Sequence, residues 1–239
     1  MNSSADLATK TLLAHERLNE HYGIREIYGR ADPMHELITT ILSHRTTHAN
    51  EEIAYKTMRA RFPTWEAVRD APIPDLTDAI RTATYPEVKV PYIQQVLTQI
   101  LEERGEANID FLHELSTEDA LQWLTSLPGV GPKTATLLLL FNFKKPLLPV
   151  DTHVYRVTQR VGLIGPKVSA NKAHDLLLSY LPRDATVLFN FHKHFYWHGQ
   201  RICTWYEPKC SECVLRTMCD YYQSGGTAVL SSTPVRKKV

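Results

Sequence analysis

Apolar residues recur at three- and four-residue spacing along most of this chain, the pattern of helices that bury one face. The pattern is clear in 33–45, in the segment after it and in 88–100. Further helices are predicted around 117–124, 132–142, 151–161, 169–180 and 184–199. Strand signals are scarce, and breakers rich in Pro and Gly separate the segments. The sequence therefore predicts an all-α fold of about ten helices.

The length of 239 residues allows one large domain or two small ones. With 43% hydrophobic and 22% charged residues, the composition is that of an ordinary globular protein and argues against a disordered or fibrous one. The sequence has neither a run that resembles a signal peptide nor a stretch of about 18 apolar residues. We therefore expect a cytoplasmic protein without membrane attachment.

All four cysteines lie in one short segment, at Cys203, Cys210, Cys213 and Cys219. Their spacing lets four thiolates converge on one centre, and both Zn²⁺ and a [4Fe–4S] cluster accept four cysteine ligands. Zinc sites more often use two separated C-x2-C pairs, and only one such pair is present here. The spacing alone therefore favours a cluster over zinc only modestly.

The segment 127–135, LPGVGPKTA, has the properties of a phosphate-binding turn. Gly129 and Gly131 permit a tight turn and close approach of the backbone to a ligand. Pro132 suits the first position of a helix, where free N–H groups can bind a phosphate oxygen. We interpret the segment, with Val130 between the two glycines, as a helix-hairpin-helix motif that binds the DNA backbone. A plain glycine turn between two helices is the alternative.

Asp151 stands just before an apolar-periodic segment, so its ordinary role is the N-cap of a helix. It also follows Lys133 at a distance of 18 residues. The formal net charge of +1 argues against a nucleic-acid binder only as an average over the chain. From Gly129 to Lys172 there are seven Lys or Arg residues and a single acid, Asp151. This stretch is the predicted electrostatic footprint for DNA.

These motifs resemble those of the endonuclease III family of DNA glycosylases, within the helix-hairpin-helix–Gly/Pro/Asp superfamily. LPGVGPKTA, VDTHVYRV, the dipeptide His198-Gly199 and the C-x6-C-x2-C-x5-C loop occur in the family's order and spacing. The resemblance implies two helical lobes with a DNA-binding cleft between them. It assigns 33–148 to a six-helix barrel domain with the hairpin, 1–32 plus 149–222 to an iron–sulfur cluster domain, and 223–239 to a flexible basic tail.

The resemblance also implies a reaction and its residues. Lys133 takes the place of the family's nucleophile, Asp151 that of its essential aspartate, and the four cysteines hold a [4Fe–4S] cluster. The implied activity is base-excision repair: removal of oxidised pyrimidines with associated AP lyase activity by β-elimination. The implied partner is damaged double-stranded DNA. A monomeric, nucleoid-associated bacterial protein is expected.

Two positions depart from the family pattern. Arg45 stands where a glutamine usually fills the gap left by the flipped base, and Tyr85-Pro86-Glu87 replaces the usual apolar wedge loop. Expected DNA contacts are the hairpin backbone and nearby side chains: Gly129, Val130, Gly131, Arg45, Tyr85, Lys89, His153 and Lys209. Arg45 makes a mismatch-type thymine or uracil glycosylase an alternative. A non-catalytic helix-hairpin-helix DNA-binding protein is a second alternative.

Overall fold

The computed structural model describes residues 4–28 and 32–226. Within these ranges all regular structure is helical, with twelve α-helices, three short 3₁₀ helices and no strand. The predicted all-α class is confirmed. Most of the predicted tail, from 227 onward, lies outside the described residues.

The helices follow one another with short connections. In chain order they are α1 (Ser4–Tyr22), α2 (Pro33–Ser43), α3 (His48–Arg61), α4 (Trp65–Asp70), α5 (Ile73–Ala79), α6 (Pro86–Arg104), α7 (Thr117–Ser126), α8 (Pro132–Phe143), α9 (Thr152–Val161), α10 (Ala170–Ser179), α11 (Ala185–Arg201) and α12 (Asp220–Gln223). The 3₁₀ helices are Asp110–His113, Cys210–Glu212 and Arg216–Met218.

The chain divides into two compact units. We call Tyr28–Phe143 the hairpin unit, because it contains the LPGVGP turn. We call the chain up to Ile27 together with the chain from Lys144 the cysteine unit. The cysteine unit resumes before the expected boundary at 149, since ring nitrogens of His174 and His192, both in this unit, hydrogen-bond to the carbonyls of Leu148 and Pro149 at 2.9 Å.

Most helix starts carry a side chain that accepts a hydrogen bond from a first-turn N–H group. These N-caps are Asp32, Thr47, Thr64, Ser116, Asp151, Ser169 and Asp184. The start of α6 is different. Its N-cap is Tyr85, which has left-handed backbone angles and makes no side-chain cap bond.

The hairpin unit is built around α2, which packs against α3, α6 and α8. Seven of the eleven residues of α2 are buried, including Leu37, Ile38, Ile41 and Leu42. Burying side chains on nearly every face fixes the helix firmly, because each apolar side chain contributes about 1.5–3 kcal/mol. The carboxyl end of α2 therefore gives the loop that follows it a rigid base.

The cysteine unit packs α11 against α9 and α1. Phe189, Phe191 and Phe195 of α11 are fully buried. Gly199 allows the close approach of α9, since a Cβ there would lie 2.8 Å from the Cβ of His153. The glycine of the His198-Gly199 pair is thus explained by helix packing.

Buried histidines should make the stability of the cysteine unit depend on pH. Burial lowers the pKa of the fully buried His194 to about 4. Between pH 6.5 and 4 the unfolded chain therefore binds more protons than the folded protein does. The free energy of unfolding decreases as the pH is lowered through that window. We expect His194 to account for about 2 kcal/mol of destabilisation at pH 5 relative to pH 8.

Urea unfolding of the wild type and of His194→Phe at both pH values measures this contribution. The variant should lose less stability on acidification. His48→Gln, which removes an exposed histidine, should leave the pH dependence unchanged. Equal pH dependence in wild type and His194→Phe would contradict the assignment.

Candidate functional site

The turn between α7 and α8 is held tightly against α6. The Val130 N–H donates to the Leu127 carbonyl at 3.1 Å, which closes the turn. Gly129 has φ +76°, and a Cβ at this position would lie 2.9 Å from Cγ of Tyr92. The Val130 side chain is buried. Only the backbone of Val130 is therefore available for the DNA contact predicted for it.

The amino end of α8 is open to a ligand. A Cβ built on Gly131 would meet no heavy atom within 4 Å. Pro132 has no N–H, and the N–H groups after it in the first turn have no acceptor within the helix. Exposed N–H groups at the start of a helix bind anions such as phosphate. The predicted helix–turn–helix arrangement of the hairpin is thus present, and its contact with a DNA backbone stays a prediction.

Lys133 is the second residue of α8 and is half-buried. Within the described part of the chain its ammonium makes no hydrogen bond or ion pair. Lys133 lies within electrostatic reach of His44. Desolvation of the imidazole lowers the pKa of His44 most, and the positive charges of Lys133 and Lys89 lower it further. Lys133 is therefore an uncompensated amine beside the loop that carries Arg45.

Arg45 and Tyr85 are both exposed and both have left-handed backbone angles, with φ 56° and 57°. This conformation costs a residue with a side chain about 1–2 kcal/mol and persists only where the surroundings hold it. Arg45 lies in the α2–α3 connection, and Tyr85 directly precedes α6. Strained, exposed side chains of this kind are typical of functional sites.

Lys89 does not lie where a DNA contact would place it. It is 5% exposed, and its ammonium donates to the carbonyls of Leu42 and His44 at 2.6 and 2.8 Å and to Oγ1 of Thr46 at 2.7 Å. An ammonium group has three N–H donors. No donor of Lys89 is left for a phosphate, so the expected contact is corrected to a structural role. Sequence alone could not show the fold of the loop around it.

Asp151 caps α9. Its Oδ1 accepts hydrogen bonds from the N–H groups of His153 and Val154 at 2.9 and 2.8 Å. Its side chain is half-buried, in the cysteine unit. Oδ2 is not used by these two cap bonds. The ordinary role predicted for this residue is therefore present, and it leaves part of the carboxylate available for another role.

His153 is engaged inside the cysteine unit. Its Nδ1 lies 3.2 Å from Nη2 of Arg156, and its ring meets that of Tyr196 edge-on. Burial lowers the pKa of His153, opposed by the nearby Asp151 carboxylate. Lys209 is the other residue of this unit whose side chain is predicted to contact DNA. It is exposed, on the loop next to Cys210.

The four cysteines line one cavity in the cysteine unit. Cys219 is buried and the other three are half-buried, and all four are free of disulfides. Apolar side chains of Val157, Val161 and Ile202 form part of the wall. Burial raises the pKa of Cys213 to about 11 and also raises those of Cys210 and Cys219. Metal binding would have to displace protons from these thiols.

Two cationic or polar side chains contact the cysteine sulfurs. Nη1 of Arg160 lies 3.4 Å from Sγ of Cys203, and Nε2 of His198 lies 3.2 Å from Sγ of Cys213. Nε of Arg160 is buried without a hydrogen-bond partner. The sequence placed Arg160 only in the basic stretch and did not predict its contact with a cysteine sulfur, although Arg156 and Arg160 stand four residues apart on one face of α9.

The same two arginines change the interpretation of the basic stretch. Arg156 donates to the carbonyls of Gly199 and Cys203, and Arg160 to those of Thr204 and Trp205. Both arginines are at most 4% exposed. They hold the cysteine loop onto α9 and cannot reach a phosphate, so fewer cations of the stretch are available to DNA than the sequence suggests.

No group of three or more His, Cys, Asp or Glu side chains in residues 4–28 and 32–226 forms a site for a single metal ion. Among the helices in these ranges, none combines the length and the apolar character needed to cross a membrane.

Comparison with known proteins places these features in one family. A model of the HhH-GPD superfamily of base excision DNA repair proteins matches residues 38–183. Endonuclease III of Thermotoga maritima is 33% identical over 199 residues, which cover 83% of this chain and 88% of the relative. Endonuclease III of Sulfolobus acidocaldarius is 31% identical over 189 residues, covering 78% of this chain and 81% of the relative.

A solved structure described as a trapped endonuclease III–DNA covalent intermediate has a TM-score of 0.79 at 21% identity, covering 94% of this chain and 99% of the other. This structural match shows the shared fold, and the sequence matches show the family. The resemblance read from the motifs is confirmed. The chain therefore belongs to the endonuclease III family, in the HhH-GPD superfamily of base excision DNA repair glycosylases.

Proposed function

We propose that this protein excises damaged pyrimidines from double-stranded DNA and then cuts the strand at the resulting abasic site. The observation that carries the proposal is the unpaired ammonium of Lys133 at the anion-binding start of α8. A helix-hairpin-helix turn needs only backbone groups to bind phosphate, so a half-buried amine directly after the turn points to chemistry in addition to binding.

The proposed reaction begins when a damaged nucleotide leaves the base stack, at a cost of a few kcal/mol. Nζ of Lys133, as the free amine, forms a bond to the sugar C1′ while the bond from C1′ to the base breaks. The base leaves with that electron pair and takes up a proton. Opening of the sugar ring gives a Schiff base between Lys133 and C1′. Loss of a C2′ proton then expels the 3′ phosphate by β-elimination.

Asp151 supplies the negative charge in this proposal. A carboxylate stabilises the positive charge that develops on the sugar and accepts a proton from the attacking lysine. Lys133 belongs to the hairpin unit and Asp151 to the cysteine unit. By the resemblance to endonuclease III, both residues would act on the same flipped nucleotide. Since one chain supplies both, we propose that the monomer is active.

We further propose that the hairpin unit is the barrel domain of the family and that the cysteine unit is its cluster domain. The four cysteines would be the ligands of a [4Fe–4S] cluster. The apolar cavity, the N–H groups directed at sulfur and the unpartnered Nε of Arg160 suit an electron-rich iron–sulfur group. When bound, such a cluster supplies a rigid anchor for the loop that carries Lys209.

Metal analysis of the purified protein tests the cluster. We expect a yellow-brown protein with iron and acid-labile sulfide in equal amounts, and we expect Cys213→Ser to lose both. The serine removes the thiolate with little change in side-chain volume. Zinc in place of iron, without sulfide, would contradict the assignment.

The preferred lesion is proposed to be an oxidised pyrimidine, with thymine or uracil opposite guanine as the alternative. Arg45 favours the alternative, because it is exposed at the position where the family usually has glutamine. A solved structure described as a thermostable thymine-DNA glycosylase has a TM-score of 0.74 at 19% identity, covering 90% of this chain and 97% of the other. It shares the fold and does not decide the substrate.

A panel of duplexes containing thymine glycol, dihydrouracil, uracil·G or thymine·G separates these possibilities. We expect the wild type to excise the oxidised pyrimidines fastest. Arg45→Gln, run beside it, measures how far Arg45 sets the preference. Faster excision from the two mismatches would reverse the order of the two candidates. Binding without excision or strand cutting on every duplex would leave only a DNA-binding module.

A further inference from the structure

Two exposed loops of the hairpin unit are joined to each other by a small set of hydrogen bonds. The first loop, residues 44–47, connects α2 to α3 and carries Arg45. The second loop, residues 80–85, precedes α6 and carries Tyr85. Oγ1 of Thr84 donates to the Arg45 carbonyl at 3.0 Å, and the Thr84 N–H donates to Oγ1 of Thr46 at 3.0 Å. The second loop thus binds the first at the Arg45 carbonyl and at the side chain of the next residue, Thr46.

Lys89 joins the same two loops from beneath. Its backbone N–H donates to the Tyr85 carbonyl at 3.3 Å, and its ammonium binds the Leu42 and His44 carbonyls and Oγ1 of Thr46. Leu42 lies in the last turn of α2, where carbonyls lack partners within the helix. The negative end of the helix dipole lies there too. A buried ammonium is therefore well matched to this position.

Oγ1 of Thr46 lies at the centre of the arrangement, because it accepts from both Lys89 and Thr84. We call Lys89, Thr46 and Thr84 the loop clamp. The loop clamp makes bonds to the backbone of Arg45 and Tyr85 or of residues beside them. In the described part of this unit, Arg45 and Tyr85 are the non-glycine residues with left-handed backbone angles, and both are exposed.

We propose that the loop clamp is a positioning device that holds Arg45 and Tyr85 at a fixed separation and orientation, so that the two side chains enter the duplex together at the damaged pair. This inference rests on the proposed function, in which Arg45 and Tyr85 replace the side chains of the family that fill and wedge the base stack. The clamp residues act through Arg45 and Tyr85 and make no contact with DNA themselves.

The test is single-turnover excision of a damaged base by clamp variants, with and without Arg45→Ala. Thr84→Val removes the hydroxyl of an exposed residue without threatening the fold, and Thr84→Ser retains it. Lys89→Met removes all three ammonium bonds at similar side-chain length. We expect Thr84→Val and Lys89→Met to slow excision about tenfold, a coupling of the usual size for residues in one network, and Thr84→Ser to be close to wild type.

In the Arg45→Ala background the same clamp substitutions should slow excision by a smaller factor, because Tyr85 is then the only one of the two side chains left for the clamp to position. Gln94→Leu is the matched control. Gln94 also lies on α6 and donates to three carbonyls, those of Val68, Arg69 and Ala71, at a place removed from both loops. Its effect on excision should be the same whether or not Arg45 is present.

Cleavage of a preformed abasic site should change less than about threefold in the clamp variants, since no base has to be displaced. Amide hydrogen exchange in residues 44–47 should be faster in Thr84→Val than in Thr84→Ser, which tests the clamp without any catalysis. Wild-type excision rates in both clamp variants, or equal losses with and without Arg45, would overturn the inference. A wild type that excises no lesion would overturn the proposed function instead, while the exchange measurement would still decide for or against the clamp.

Discussion

Lys133→Gln is expected to abolish the covalent complex that borohydride traps between this protein and an abasic-site duplex. Reduction captures only a Schiff base, which requires the primary amine that glutamine lacks. Excision with strand cutting should fall by about 10³-fold or more, as expected when a nucleophile is removed. The start of α8 and its backbone N–H groups do not depend on this side chain, so duplex binding should change by only a few-fold.

Lys172→Gln is the control for the charge that this substitution removes. Lys172 is an exposed lysine of the same basic stretch, and its loss should leave trapping intact. Salt titrations of both variants separate a lost phosphate contact from lost chemistry, because each phosphate contact contributes to the salt dependence of binding. Trapping that persists in Lys133→Gln would show that another amine forms the Schiff base.

Asp151→Asn is expected to lower base excision by about 10²–10⁴-fold with little change in stability. Asparagine is as good an N-cap as aspartate, so Oδ1 can still accept from His153 and Val154 and the free energy of unfolding should shift by less than about 0.5 kcal/mol. Only the negative charge is lost. Charge stabilisation and proton transfer each typically contribute factors of this size.

Asp184→Asn makes the same chemical change at another N-cap of the cysteine unit. Asp184 caps α11 by accepting from the Val187 N–H at 2.9 Å. This variant should bind and excise like the wild type. If Asp151→Asn also excised within a few-fold of wild type, Asp151 would be a helix cap and nothing more.

The sequence was sufficient for the features that depend on local patterns. Apolar spacing predicted the all-helical class, and Gly129, Gly131 and Pro132 predicted the turn before α8 because glycine and proline act through their own backbone angles. The N-cap role of Asp151 was also a local prediction, because a short acidic side chain just before a helix can accept hydrogen bonds from the first-turn N–H groups. In each case the determining residues are neighbours along the chain.

The features that the sequence did not reveal depend on contacts between distant segments. Lys89 was expected on DNA but serves the α2–α3 loop 43–47 residues earlier in the chain. Arg156 and Arg160 contributed to a predicted basic surface, yet they are buried against carbonyls of the cysteine loop. A residue's type does not specify whether its charge faces solvent or the protein, so only the fold could correct these assignments.

The central claim is that the amine of Lys133 forms the covalent intermediate. It is tested most directly by trapping wild-type protein on an abasic-site duplex with borohydride, digesting the complex and locating the sugar remnant by mass spectrometry. The proposed mechanism predicts a single modified peptide with the remnant on Lys133. An adduct on another lysine or on the amino terminus, or no adduct from protein that binds the duplex, would contradict it.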